Sequence, residues 1–466
     1  MKNRKVFWVM SAIIIVVLLL PMAQGEFKIF SFEPLQGAFY KTPKPNLTFD
    51  NVTNGSYQTN IEKYISENYG FRQPMIRFYN QYLWDFYKKT NAQDVVRGKD
   101  GWLFSNKQVE KYYGTFQHRY FNSNAAAKNS YDINIRTLNK LRHVLKKLDI
   151  ELLVYISPNK CYIFPEFIPE REHDTTTINV CAYYVDNFKE LGIPCLEMTG
   201  MFRHFRDTMQ FEPFSKYGAH WNFSSVYSAD SLFRFIESIN GINLPDIKIS
   251  NYRKYDKAAY KKNLGDFDYE WMMNLMREFD HSKCIMYEGD VEIVADSTHV
   301  KPSVLFVGNS FLMHITDYIN FGDVFENPRL WYYNQTAYNL TDLSKRPVNE
   351  LDFLDEVLKS DYIVTFCSDI QLFEISFGFA GKTLVSLCIP DSIYMEKIDY
   401  LCKSQGVSKE KAIYIINTNP FVFDELKGDG IPEIRNEAAL EKINRKRACR
   451  NQQEALSHEG RGRFRE

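Results

Sequence analysis

The sequence predicts a three-layer α/β domain with a mainly parallel sheet, carried behind an N-terminal apolar helix. Three observations predict it. Short apolar runs of strand length alternate with amphipathic segments of helical period, an alternation that belongs to strands crossing over through helices. Composition is ordinary for a folded chain: of 466 residues, 45% are hydrophobic and 25% charged, which excludes a disordered polymer. Lys plus Arg number 57 against 58 for Asp plus Glu, so no bulk basicity points to a nucleic-acid partner.

The elements follow in chain order. Lys2, Arg4 and Lys5 precede an apolar run from Val6 to Ala23, long enough to cross a bilayer with its positive flank on the cytoplasmic side. Ala23-Gln24-Gly25 also offers a cleavage site, so residues 1–25 read as a signal anchor or a signal peptide. The uncleaved anchor is the favoured reading, because Ile13 to Leu20 is unbroken. It makes the protein single-pass, with the rest of the chain extracytoplasmic. Residues 26–60, rich in Pro, Asn, Thr and Gly, read as a linker, and the folded domain is expected over 61–395.

Within that domain, Leu138, Leu141, Leu145 and Leu148 recur at helical spacing and predict a helix over 131–148. A buried strand from Ile150 to Ile156 follows at once. Further helices are expected over 178–191 and 226–239. Further strands are expected at Val304–Val307, Tyr362–Phe366 and Thr383–Ile389. Residues 396–466 form a charged extension of helical character, with a basic cluster at Arg445 to Arg450 read as solvated surface. The eight cysteines show no CxxC pair. Cys367 and Cys388, in apolar runs, read as small buried side chains, and a Cys181–Cys195 bridge is left open.

Chemistry concentrates where the strand Val304–Val307 runs into Gly308-Asn309-Ser310-Phe311. Gly308 permits a tight turn, and Ser310 then opens a helix at the carboxyl end of a strand. That placement exposes its hydroxyl and aims free backbone N–H groups at an oxyanion. A serine nucleophile needs a base. Among nine histidines, His220 stands in a polar, glycine-containing loop, Lys216 to Asn222, just before a helix. His173, His204 and His314 lack that context. No HExxH, EF-hand or Walker glycine motif is present, so no metal or nucleotide cofactor is implied. Asp266, Asp268 and Glu270 read as carboxylates enriched at a helix N-terminus. Trp102 and Phe104 read as core anchors. Tyr332, Tyr333 and Asn334 read first as aromatic packing and second as the lining of a sugar cleft.

Five ordered motifs then carry a resemblance. Val96-Arg97-Gly98-Lys99-Asp100-Gly101-Trp102-Leu103-Phe104 resembles the GKDGWLF signature of the AlgX and AlgJ alginate O-acetyltransferase family. Tyr69-Gly70-Phe71-Arg72 with Arg77-Phe78-Tyr79-Asn80 resembles the approach to it. Leu152 to Lys160, with Tyr162 to Pro169, is similar to the element around the family's Pro-x-Lys. Gly218-Ala219-His220-Trp221 falls where that family has Asp-x-His-Trp, and Gly308-Asn309-Ser310-Phe311 where it has Gly-Asp-Ser-Phe.

The resemblance implies an SGNH-hydrolase-like, flavodoxin-like domain facing outside the cytoplasmic membrane. It implies transfer of acetyl to hydroxyls of an exported polysaccharide beside a multispan membrane O-acyltransferase that delivers the acetyl group. By the same carry-over Ser310 is the nucleophile, His220 the general base, and Gly308 and Asn309 the oxyanion turn. The family's triad acid falls on Gly218, which has no carboxylate, so the orienting acid is unassigned. Asp207, Glu212 and Asp230 are the flanking candidates, and a backbone carbonyl or a Ser-His dyad the alternatives. A carbohydrate esterase and a non-catalytic polysaccharide-biosynthesis scaffold are the rival functions.

Overall fold

The computed structural model describes residues 2–37, 42–254, 264–281, 284 and 287–445. Eleven strands occur among them. Two make an antiparallel hairpin near the N-terminus, β1 (Val95–Arg97) and β2 (Leu103–Ser105). Then come β3 (Glu151–Ser157) and β4 (Cys195–Glu197). A second antiparallel pair is formed by β5 (Asp246–Lys254) and β6 (Tyr287–Val294). The remainder are β7 (Ser303–Gly308), β8 (Glu326–Tyr332), β9 (Thr336–Asn339), β10 (Lys345–Pro347) and β11 (Tyr362–Ser368).

Seven of them form the central sheet in the order β10-β9-β8-β7-β11-β3-β4. From β8 to β4 every pairing is parallel, and β9 and β10 add an antiparallel edge. The central strands are apolar along their whole length because helices cover both faces. Side chains alternate between two cores. Leu152, Val154, Ile156, Leu305, Val307 and Ile363 pack under one helical layer. Leu153, Tyr155, Val304, Phe306, Val364 and Phe366 pack under the other. This is the three-layer α/β architecture with a mostly parallel sheet that the alternation predicts.

The helix expected over 131–148 runs Asn124–Lys146. It starts seven residues early because the Ser123 side chain caps it by accepting from the Ala126 N–H, a signal that stands outside the apolar repeat. Its Leu138, Leu141 and Leu145 are fully buried. The helices expected near 178 and 226 are Val180–Leu191 and Ser225–Asn240.

One element is corrected. Thr383–Ile389, expected as a strand, lies in a helix, Phe379–Cys388. Phe379, Ala380, Gly381, Thr383, Leu384, Val385, Leu387 and Cys388 are all buried. Only Lys382 and Ser386 on one face are partly exposed, so the polar stripe is too narrow to mark a helix and the sequence imitates a buried strand. A Cβ on Gly381 would lie 2.0 Å from the Asn417 carbonyl oxygen, which shows how closely the helix Lys409–Thr418 crosses it.

Within residues 26–60, read as linker, a short helix Phe49–Thr53 and the first turns of Ser56–Asn68 are formed. The described part of 396–466 is helical, and most of the basic cluster, 446–450, lies outside the described residues. The described cysteines, Cys181 and Cys195 included, are free thiols. The N-terminal helix Lys2–Phe27 contains a stretch, Val6–Phe27, with the length and composition of a membrane span or a signal sequence.

Candidate active site

The site sits at the carboxyl ends of β7, β11 and β3, where parallel sheets place their crevices. β7 ends at Gly308, and a Cβ there would lie 2.6 Å from the Phe366 carbonyl oxygen of β11, so only glycine lets the two strands run together at this point. Asn309 then caps the helix Ser310–Ile315, its Oδ1 accepting from the Phe311 N–H at 3.0 Å. Its Nδ2 donates to Gln371 Oε1. Both ends of the Asn309 side chain are therefore engaged in holding the turn. Ser310 takes the first helical position, where its own N–H has no acceptor among the described residues.

His220 reaches over this turn from the loop 214–221, which closes on itself through a bridge between Phe214 and Trp221. Its Nε2 lies 2.7 Å from Ser310 Oγ. Its Nδ1 lies 2.8 Å from Asp268 Oδ2. The other oxygen of Asp268 accepts from the backbone N–H groups of Ala219 at 2.6 Å and Tyr269 at 2.8 Å. An acceptor on Nδ1 fixes the proton there in the neutral imidazole and leaves Nε2 free to take the serine proton. Burial and the neighbouring His314 ring, 4.1 Å away, lower the His220 pKa, while Asp268 opposes them. Burial therefore favours the neutral imidazole.

The carboxylate that meets His220 is thus Asp268. None of the flanking candidates contacts His220: Asp230 pairs with Arg234 at 3.7 Å, Asp207 is exposed, and Glu212 is partly buried with its carboxyl pKa raised by that burial. Gly218 is explained by the same geometry. A Cβ at 218 would lie 2.5 Å from the Asp266 carbonyl oxygen and 2.6 Å from that of Gly265. The segment that delivers Asp268 therefore lies directly on residue 218, and no side chain fits between them. The acidic cluster divides its labour. Asp266 is buried, which pushes its carboxyl well above the usual range. Asp268 serves His220, and Glu270 holds His281 at 2.5 Å.

The hairpin motif and the buried lysine hold this loop in place. Lys160 is fully buried, and its Nζ donates to the carbonyls of Leu103 at 2.9 Å, Ser215 at 2.7 Å and Gly218 at 2.8 Å. Trp102 and Phe104 flank the ammonium, each ring centroid 5.1 Å away. Leu103 also donates its N–H to the Lys216 carbonyl at 3.0 Å. One cation thereby joins β2 to the histidine loop through backbone carbonyls. Trp221 closes the arrangement from the other side, its Nε1 donating to the Phe311 carbonyl at 3.1 Å. Trp102 and Phe104 are core anchors as expected, 3% and 0% exposed.

The remaining expected residues separate. His173 packs on Tyr113 and His204 is exposed, both away from the serine. His314 stands beside His220 with Nδ1 3.2 Å from Asp317. Tyr332, at the end of β8, pairs in register with Gly308, two residues before Ser310.

Residues 95–268 match a family model described as the SGNH hydrolase-like domain of the acetyltransferase AlgX. The matched segment contains the β1–β2 hairpin, Lys160, His220 and Asp268, and ends before Ser310. Two solved structures are similar. The O-acetyltransferase domain of Pseudomonas putida AlgJ is 14% identical with a TM-score of 0.37, over 60% of this chain and 92% of that one. Pseudomonas aeruginosa AlgX is 16% identical with a TM-score of 0.32, over 59% of this chain and 55% of that one. No curated protein matches the chain. Over residues 95–268 the chain is similar to the SGNH hydrolase-like domain of AlgX.

Proposed function

We propose that this protein is an O-acetyltransferase that works through an acetyl-serine on Ser310 and delivers the acetyl group to a hydroxyl of an exported polysaccharide. The observation that carries the reading is the relay Asp268–His220–Ser310, with contacts of 2.8 Å and 2.7 Å in sequence. It supplies a nucleophile, a base with an assigned tautomer and an orienting carboxylate, the arrangement shared by acyl-transfer sites on unrelated folds.

The reaction proceeds in two halves. His220 Nε2 takes the Ser310 Oγ proton as Oγ attacks the acetyl carbonyl, and the Ser310 N–H donates to the resulting oxyanion. Collapse of this intermediate breaks the bond to the donor's leaving group, which receives the proton from Nε2. A sugar hydroxyl then gives its proton to Nε2 and attacks the acetyl-serine. Breakdown returns the proton to Ser310 Oγ and releases the acetylated sugar. Asp268 holds the imidazolium that forms in each half.

The N-terminal helix, with Lys2, Arg4 and Lys5 before its apolar stretch, supports a single-pass arrangement with the site extracytoplasmic. A multispan membrane O-acyltransferase is the proposed source of acetyl. The scaffold alternative draws on the absence of an acid at Gly218, and Asp268 removes that ground. An esterase would use the same residues with water in place of sugar.

Incubation of the full chain in detergent micelles with p-nitrophenyl acetate, followed by intact-protein mass spectrometry, tests the proposal. An acetyl adduct on Ser310, absent in Ser310→Ala and His220→Ala, is expected. Ester turnover with no adduct under rapid quench in any variant sinks the acetyl-serine step.

A further inference from the structure

Beside the relay lies a second cavity, a cleft of about 830 Å³. Its walls are the segments that follow β8 and β11, together with the helices Asn124–Lys146 and Lys409–Thr418. Neither Ser310 nor His220 lines it, yet the two sites share a wall. Asn309, which caps the nucleophile helix, donates to Gln371 Oε1, and Gln371 Nε2 donates to the Tyr333 hydroxyl at 3.2 Å. Gln371 and Tyr333 both face the cleft. Tyr333 also donates its backbone N–H to the Gly308 carbonyl at 2.8 Å, at the turn that leads into Ser310.

The lining has a particular chemistry. It is built from aromatic rings and side-chain amides, and among the described residues its only charged members are Lys107 and Glu374, one of each sign. Tyr120, 44% exposed, stacks on Phe373 with centroids 4.3 Å apart and planes inclined by 24°, so the stack offers an outer ring face as an apolar surface. The side-chain amides of Asn129, Gln335 and Asn417 face the cleft and make no hydrogen bond among the described residues. An amide donates and accepts at once, as does a sugar hydroxyl, and an aromatic face matches the C–H face of a pyranose. Around the relay the carboxylates Asp268 and Asp317 stand near His220, and the nearby lysine, Lys160, is fully buried and engaged by backbone carbonyls. A polyuronate brings a negative charge on every residue, and neither the cleft nor the relay offers a surplus of cations to meet it.

We propose that this cleft binds the acceptor, and that the acceptor is an uncharged glycan whose pyranose faces lie on Tyr120 and Phe373 while its hydroxyls meet the amides of Asn129, Gln335 and Asn417. The inference rests on the acetyl-transfer reading and names the substrate class of that same site.

The test uses full-length Ser310→Ala protein in detergent micelles, which cannot form an acyl-serine, titrated calorimetrically with cellotetraose, tetra-N-acetylchitotetraose and tetragalacturonate. At least one uncharged tetrasaccharide binds, and tetragalacturonate binds roughly tenfold more weakly or not at all. Adding Tyr120→Ala lowers the affinity for the uncharged ligand roughly tenfold, and adding Gln335→Ala, on the exposed rim, lowers it about threefold. Equal or tighter binding of tetragalacturonate overturns the proposal. So does the absence of binding by both uncharged ligands at millimolar concentration, or binding that neither added substitution changes. The acetyl-adduct experiment on the wild-type chain is separate. An adduct without saccharide binding removes the cleft assignment alone, and saccharide binding without an adduct removes the catalytic reading.

Discussion

The turn that carries Ser310 and the loop that carries His220 meet at 2.7 Å, but they are held by different kinds of contact. The Ser310 turn is local. A strand, a glycine that allows close strand approach and an asparagine cap follow one another within residues 303–311. The His220 loop is assembled from afar. Lys160 grips its carbonyls, Leu103 pairs with Lys216, Trp221 reaches the Phe311 carbonyl, and Asp268 holds both the Ala219 N–H and the imidazole. Ser310 belongs to a single βα unit, whereas His220 and Asp268 belong to a junction of several segments. Substitutions in the first should remove chemistry while leaving the fold intact, and substitutions in the second should affect both.

The largest expected effect breaks the local half: Ser310→Ala lowers p-nitrophenyl acetate turnover by about 10⁴-fold with an unchanged melting temperature. Asp268→Asn keeps the shape of the junction but loses the fixed tautomer, and a fall of about 10²- to 10⁴-fold in the same assay is expected. Moving the acid to the position the resemblance suggests sharpens the comparison. Gly218→Asp added to Asp268→Asn does not restore the rate and lowers the melting temperature, because its Cβ would sit 2.5 Å from the Asp266 carbonyl oxygen. Trp221→Ala removes a fully buried ring and the tie to Phe311, and costs about 3–5 kcal/mol in denaturant unfolding besides lowering the rate.

The smallest effect concerns pH. His220 must be neutral to accept the Ser310 proton, and its pKa lies below the ordinary histidine value. The rate therefore rises with pH through an apparent pKa below about 6.5 and then levels. His314→Gln removes the like-charge neighbour that helps lower that pKa, so the acid limb shifts upward, read from the pH–rate profile. An acid limb that stays in place would show that His314 does not contribute to the His220 pKa.

Much of the fold is legible in the order of residues. Strands such as Glu151–Ser157 and Tyr362–Ser368 are largely apolar because both of their faces are covered, and such runs stand out in a sequence. The same rule misleads at 383–389, since a helix buried on all but a narrow face presents nearly the same run. The site is legible in halves. Ser310 and His220 announce themselves through a strand end and a polar loop. Asp268 does not, although Asp266, Asp268 and Glu270 stand out together. A carboxylate cluster at a helix start already has a local explanation, and nothing in the order of residues distinguishes the member that turns toward a histidine 48 positions away.

Local sequence dictates the alternation of strands and helices, the apolar N-terminal helix, the turn that exposes Ser310 and the polar loop that contains His220, because each depends on residues within about one turn or strand of one another. Tertiary packing is what makes Asp268 complete the relay, what requires Gly218 to be bare so that residues 265–268 can lie on it, and what lets Lys160 tie a distant hairpin to the histidine loop. These are contacts between segments far apart in the chain, made by single side chains whose partners exist only once the sheet and its two cores have brought the segments together.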